Sequence, residues 1–186
     1  MEIGLGGSLL AIVVLIGGWL IWTYNRFIRR KNNVREAWSG IDVQLKRRHN
    51  LIPNLIETVK GYLGHEQDTL DTLTRIRTGT GDESSVAQVA QQENMLSKAL
   101  GNVLAVAEDY PDLKASTNFL DLQQQLHEAE DQVQLSRRYY NGTVRDWNIM
   151  VESFPSNLIA SAFGFRIAEF FEIELATERA VPKVEF

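Results

Sequence analysis

Ile3–Trp22 reads IGLGGSLLAIVVLIGGWLIW, twenty consecutive residues without a charge. As a helix rising 1.5 Å per residue, such a stretch extends roughly 30 Å, the thickness of the hydrocarbon core of a bilayer. A cleaved secretory signal begins with basic residues and closes on small ones after a shorter apolar core. Here the chain opens Met1-Glu2 and leaves through Trp19, Trp22, Tyr24 and Asn25, so the segment is expected to remain as an anchor over residues 1–25. The Trp and Tyr side chains suit the interfacial belt, and Arg26, Arg29, Arg30, Lys31 and Arg35 follow at once. By the positive-inside rule, that flank puts the rest of the chain in the cytoplasm, with the N-terminus outside. Each Lys or Arg held near an anionic leaflet contributes about 1 kcal/mol, so the same residues are expected to touch lipid headgroups. Gly4, Gly6, Gly7, Gly17 and Gly18 would allow a second membrane helix to approach, although no GxxxG spacing is present.

Beyond the anchor the pattern is helical. Val34, Trp38, Ile41, Leu45, Ile52, Leu55, Val59, Tyr62, Leu70 and Leu73 recur at intervals of three, four, seven and eight, which predicts one long helix over about 24–77, continuous with the anchor or nearly so. Pro53 lies in its middle and removes the hydrogen bond to the carbonyl of His49, so a kink is expected there. Gly79-Thr80-Gly81-Asp82 marks a loop. The pattern Ser85-x-x-Gln88 then opens a second helix carrying Val89, Leu96, Leu100, Val103, Leu104 and Ala107 up to Tyr110-Pro111. A third runs over about 116–152 with Phe119, Leu122, Leu126, Ala129, Val133, Tyr140, Val144, Trp147 and Val151 in its stripe. Ser153–Ser156 stops it, and Asn157–Glu174 is expected to add one more. The fold class is therefore all-α: a single transmembrane helix followed by an antiparallel bundle over residues 26–175, with a tail at 176–186.

Composition removes several functions. Among 186 residues there is no cysteine, which excludes disulfides, cysteine-ligated zinc, iron–sulfur clusters, a thiol nucleophile and a lipidated N-terminal cysteine. The balance of 19 Lys and Arg against 24 Asp and Glu argues against nucleic acid as a partner. Helical bundles hold di-iron centres through Glu-x-x-His pairs, yet no Glu here has a His three residues later. His49, His65 and His127 lack the spacing of a zinc protease, and His49 and His65 stand roughly 24 Å apart along one helix. No phosphate-cradling loop and no Gly-x-Ser-x-Gly elbow occurs. No catalytic residue, metal or cofactor is expected.

Four blocks carry a family resemblance: EAWSGIDVQLKRRHNLIPNLIETVKGYLGHE (Glu36–Glu66), AEDYPDLKASTNFLDLQ (Ala107–Gln123), RRYYNGTVRDWN (Arg137–Asn148) and FPSNLIASAFGF (Phe154–Phe165). Together they resemble the bacterial LemA family over nearly the whole chain. The resemblance implies a single-pass protein of the bacterial inner membrane, with an outside N-terminus, a cytoplasmic bundle of long helices and a loose association with envelope homeostasis. It implies no catalytic residues.

Interaction features remain. Lys46-Arg47-Arg48 lies roughly 24 Å beyond Lys31 along a helix, more than a Debye length from the membrane, so lipid does not account for it. It is expected to pair with Glu128, Glu130 or Asp131 of a neighbouring helix, and otherwise to accept an acidic partner; Asp42 is placed to pair with Lys46 within the helix. Six of eight phenylalanines fall at Phe154, Phe163, Phe165, Phe170, Phe171 and Phe186. Such a segment can be an interfacial membrane helix, a bundle cap or a partner-binding surface. If the first long helix leaves the membrane, the second returns and the third leaves again, the group lies far from the bilayer, and a cap or distal contact, with self-association where it stays exposed, is expected over membrane insertion. The tail's Val184 and Phe186, with a free carboxylate, match the shortest form of a strand-adding recognition motif. These features point to a non-catalytic, membrane-tethered scaffold or adaptor for an unidentified protein, such as a membrane protease or envelope component, with homo-oligomerisation as a further option. The alternative is a regulatory or sensing module that binds anionic lipid or another ligand.

Overall fold

The computed structural model describes residues 2–62, 67–78 and 85–172, and side chains within these except at 2–5, 67–69 and 77–78. Six helices follow in order: α1 (Glu2–Lys60), α2 (Gln67–Thr78), α3 (Val86–Ala107), α4 (Pro111–Lys114), α5 (Thr117–Glu152) and α6 (Ser156–Phe163). No strand occurs among the described residues. The chain is all-α, and its 59-residue α1 passes through Pro53, which sits on an exposed face.

Two compact units divide the chain, and α1 and α5 each contribute to both. The first consists of Met1–Ser39 with Tyr139–Ala168, the second of Gly40–Arg138 with the residues from Glu169 onward. In the second unit the apolar stripes meet as their spacing requires. Ile52, Leu55 and Val59 of α1, Leu70 and Leu73 of α2, Leu96, Leu100 and Val103 of α3, Leu113 of α4, and Phe119 and Leu126 of α5 form one core. Full burial of a side chain of this kind contributes about 1.5–3 kcal/mol, more than the helix propensity of any one residue, so the stripe is what fixes each helix. The start of α3 is closed by a capping box: Ser85 Oγ accepts from the Gln88 N–H, and the Gln88 side chain accepts from the Ser85 N–H at 2.8 Å.

In the first unit, α1 and α5 run antiparallel, because Phe27 meets Trp147 and Trp38 meets Tyr140. Phe27, Trp147, Met150, Ile159 and Ala160 make its core, with Trp19, Val34 and Phe165 packed around it. The apolar window of α1 is different: only 6% of it is buried, and Leu9, Leu10, Leu15 and Ile21 are each more than 60% exposed. A helix in the core of a soluble protein would bury such a window. This is the one helix among the described residues long and apolar enough to cross a membrane.

Two boundaries differ from those expected. The first bundle helix does not run to residue 77; α1 ends at Lys60 with the Tyr62 N–H bonded to the Val59 carbonyl at 3.0 Å, and α2 is a separate element. Gly61 follows Lys60 at once, where glycine weakens a helix by about 1 kcal/mol. The last helix stops at Phe163 instead of Glu174. Gly164 takes a left-handed conformation, φ 69°, while the Phe165 N–H reaches the Ala160 carbonyl and the Gly164 N–H the Ser161 carbonyl, a Schellman ending. The segment after it is tied back to α5. Trp147 Nε1 donates to the Arg166 carbonyl at 2.8 Å, and Asn148 both donates to the Ala168 carbonyl and accepts from the Ala168 N–H. The expected loop at Gly79–Asp82 lies outside the described residues.

Candidate functional site

In the second unit, a charge cluster lies on the inner faces of three helices. Arg48 of α1 is 1% exposed, and so is Glu93 of α3. One terminal nitrogen of Arg48 donates to Glu93; the other donates to Glu130 of α5 and, at 3.0 Å, to Ser97 Oγ of α3. His49 Nε2 stands 2.8 Å from the second carboxylate oxygen of Glu93. Burial pushes the Glu93 carboxyl up, but the hydrogen bond with His49 and the charge of Arg48 outweigh it and hold the group below its ordinary value of 4.5. Arg48 Nε has no partner among the described residues. One guanidinium thus ties three helices together, and a charge at this depth is retained only because carboxylates face it.

A cavity of about 650 Å³ opens beside the cluster, walled by Leu100, Leu104, Leu120 and Leu126 on its apolar side and by Arg48 and Glu130 on its polar side. Among the described residues no three His, Asp or Glu side chains gather as a metal ion requires.

The first unit carries a second site, built on the aromatic end of the apolar window. Tyr24 meets Phe163 at 4.8 Å between ring centroids and Phe165 at 6.0 Å, and Phe27 stacks on Phe165 at 4.7 Å. Arg26 stacks over Trp22 at 5.4 Å. Arg30 makes an ion pair with Asp146 at 2.8 Å. A cavity of about 430 Å³ lies between Trp19, Trp22, Thr23 and Arg26 of α1 and the α5–α6 corner. Thr23 is 3% exposed, and its hydroxyl has no hydrogen-bond partner among the described residues.

The residues singled out by sequence divide accordingly. Of the basic triplet, Lys46 pairs with Asp42 at 2.7 Å, Arg47 approaches Glu128 at 3.9 Å, and Arg48 is interior. Arg48 therefore presents no surface to a partner, whereas Lys46 and Arg47 do. Arg26, Arg29, Lys31 and Arg35 are exposed and Arg30 half-buried; Trp22 is exposed, and Trp19 and Tyr24 are half-buried. Phe163 and Phe165, expected far from the apolar window of α1, instead lie against Tyr24 and Phe27 immediately after it. Phe171 is buried and Phe170 is 41% exposed, both in the second unit. Val184 and Phe186 lie outside the described residues. Glu93 went unnoticed by sequence reasoning, although it occupies the stripe of α3 between Val89 and Leu96. Arg48 likewise sits between Leu45 and Ile52 in the stripe of α1, and charges at stripe positions on two helices are the available signal.

Comparison with known proteins followed the same lines. The sequence model of the LemA family matches residues 37–186. The chain is 26% identical to "Magnetosome protein MamQ 2" of Paramagnetospirillum magneticum over 89% of its own length and 70% of that protein. It is 28% identical to "Protein LemA" of Metamycoplasma hominis over 73% of its own length and 63% of that protein. With "Magnetosome protein MamQ" of Magnetospirillum gryphiswaldense the identity is 21%, over 92% of this chain and 72% of the relative.

Proposed function

The chain belongs to the LemA family, and from that premise we propose that it is a non-catalytic, membrane-tethered helical scaffold of the bacterial inner membrane. The observation that carries this reading is the double use of α1. Its first part exposes an apolar window long enough to cross a bilayer, and the same helix supplies Ile52, Leu55 and Val59 to a packed core. The five basic residues after Trp22 favour an outside N-terminus and a cytoplasmic bundle. Charged groups in the second unit are engaged with one another, the arrangement of a structural lock more than of a reacting centre. The MamQ relatives are named for a cellular structure, not for a reaction, which also supports a scaffold. Its partner would be a membrane protease, an envelope component or a second copy of the chain, met at Lys46 and Arg47 or at the tail.

The test is crosslinking in native membranes, with the full chain compared with a Lys46→Ser/Arg47→Ser variant and with one lacking residues 181–186. Arg48 is left intact, because it is interior and removing it alone would destabilise the bundle instead of clearing its surface. A crosslinked partner lost with either variant and restored with the parent is the expected result. Identical crosslinking patterns for all three would remove these surfaces from the proposal. Topology is checked separately: cysteine is absent, so Ser116→Cys should react with an impermeant maleimide only after the membrane is opened.

The apolar cavity beside Arg48 favours a second reading, in which the bundle senses a small apolar ligand. Dodecanol should then raise the melting temperature of the full chain in nanodiscs, and an unchanged melting curve would dismiss it.

A further inference from the structure

We propose that the α5–α6 corner, from Ile149 to Ala168, is a second membrane contact that lies in the plane of the bilayer interface beside the end of α1, with lipid as its occupant. The inference rests on α1 being the anchor and goes beyond it. Anchoring alone needs no other part of the chain to enter the lipid.

Position along α1 is the first argument. The apolar window ends at Trp22, and Tyr24 follows two residues, roughly 3 Å, later. Phe163 touches that Tyr24, and Trp19 packs on the cluster of Met150, Ile159 and Ala160. Trp19 is roughly 4.5 Å inside the window, so the corner extends from just beyond the apolar boundary to below it. Its fold holds it there: the Gly164 turn and the bonds from Trp147 and Asn148 to Arg166 and Ala168 fix the chain on both sides of α6.

Chemistry is the second. At this level the corner exposes Phe154 (80%), Leu158 (60%), Phe163 (60%) and Ile167 (60%) while Ile159 and Ala160 face the core. From Ile149 to Ala168 the only charged residues are Glu152, at the end of α5, and Arg166, and Arg26 and Arg29 are exposed on the neighbouring helix. An apolar face bordered by cations is the pattern of a segment seated at an anionic leaflet. Water would be a poor solvent for this face, and the continuity with the apolar window of α1 states which other solvent is at hand.

The cavity between Trp22, Arg26 and the corner fits the same occupant. Its wall contains the buried Thr23 hydroxyl, which has no partner among the described residues, together with Arg26. A lipid with its chains along Trp22 and Phe154 would bring a phosphate to these two donors.

Depth measurement tests the proposal. The full chain contains no cysteine, so single nitroxides can be attached after Leu158→Cys, Phe163→Cys or Ile167→Cys, all exposed positions, and read in nanodiscs of phosphatidylcholine and phosphatidylglycerol by oxygen against nickel-chelate accessibility. Leu15→Cys reports the anchor, and Leu135→Cys in the second unit reports a surface in water. The expected result is a depth of about 5–10 Å below the phosphates at 158 and 163, the range of interfacial helices, with Leu135 aqueous. Labels at 158 and 163 that match Leu135 while Leu15 is deep overturn the proposal and leave the anchor standing. A shallow Leu15 overturns both. Spin coupling between copies, with both collision reagents excluded, would assign the face to self-association and overturn the lipid reading.

Discussion

Removing the carboxylate of Glu93 should destabilise the second unit far more than removing Glu93 and Arg48 together. With Glu93→Leu, Arg48 stays at 1% exposure and keeps Glu130 and Ser97. An uncompensated buried charge costs about 3–5 kcal/mol, and the surviving partners put this variant near the lower end, about 3 kcal/mol. With Arg48→Met, Glu93 is left buried with His49 alone, and the cost should reach the upper end, about 5 kcal/mol. In the double variant neither interior charge remains. Glu130, 30% exposed, is free to turn toward water, and apolar replacement of a buried pair is commonly neutral or better. Its cost should therefore be below that of either single variant, about 1 kcal/mol or less.

The assay is urea unfolding of the full chain in nanodiscs followed by circular dichroism; urea is chosen because it does not screen ion pairs. For a slope of about 1–3 kcal/mol per molar, a loss of 3 kcal/mol lowers the midpoint by about 1–3 M. Costs that simply add in the double variant would refute the reasoning, since they would mean that the two side chains contribute independently.

Other consequences are smaller or conditional. Because the folded Glu93 carboxyl is held below 4.5, the unfolded chain binds protons first as pH falls; the stabilisation is complete above about pH 5 and is lost as pH drops through the folded value. Urea midpoints taken against pH should show that acid limb, and Glu93→Gln should flatten it. Ser85→Ala removes one half of the capping box and should cost about 1 kcal/mol by the same unfolding assay. Gly164→Ala meets no neighbouring atom within 4 Å, so its cost of about 1–2 kcal/mol is the left-handed backbone alone; faster amide exchange at Phe165 and Ala168 would show the corner loosening.

What could be read from sequence was what depends on spacing. The stripes of α1, α3 and α5, the capping box at Ser85 and the Lys46–Asp42 pair all follow from intervals of three and four, whereas the pairing of the basic triplet with Glu128 and Glu130 follows only from packing the stripes of α1 and α5 together. Sequence groups Arg48 with Lys46 and Arg47 because adjacent charges look alike in a row. Their places on the helix do not: 46 and 47 lie off the stripe, and 48 lies on it between Leu45 and Ile52. Glu93 was missed for the related reason that its partner comes from another helix, and no local interval connects residues 45 apart. The orphaned hydroxyl of Thr23 has no sequence signature at all.

The phenylalanine-rich corner was misplaced for a reason of counting. A stripe continuing through Tyr62 to Leu73 suggested one helix where there are two, and so hid a connection at Gly61. In a bundle of short connections each one reverses the chain, and an uncounted reversal inverts the direction of every later element. Two reversals before α5 would carry its end away from the anchor. In the structure α5 is antiparallel to α1 where Phe27 meets Trp147 and Trp38 meets Tyr140, so its end returns toward the apolar window. The break after Lys60 is what a single long helix omits, and Phe154, Leu158 and Phe163 accordingly lie in the unit that holds Trp19 and Trp22. Apolar side chains at the far end of a bundle would need a protein to cover them. The same side chains beside Trp19 and Trp22 need only the lipid that α1 already requires.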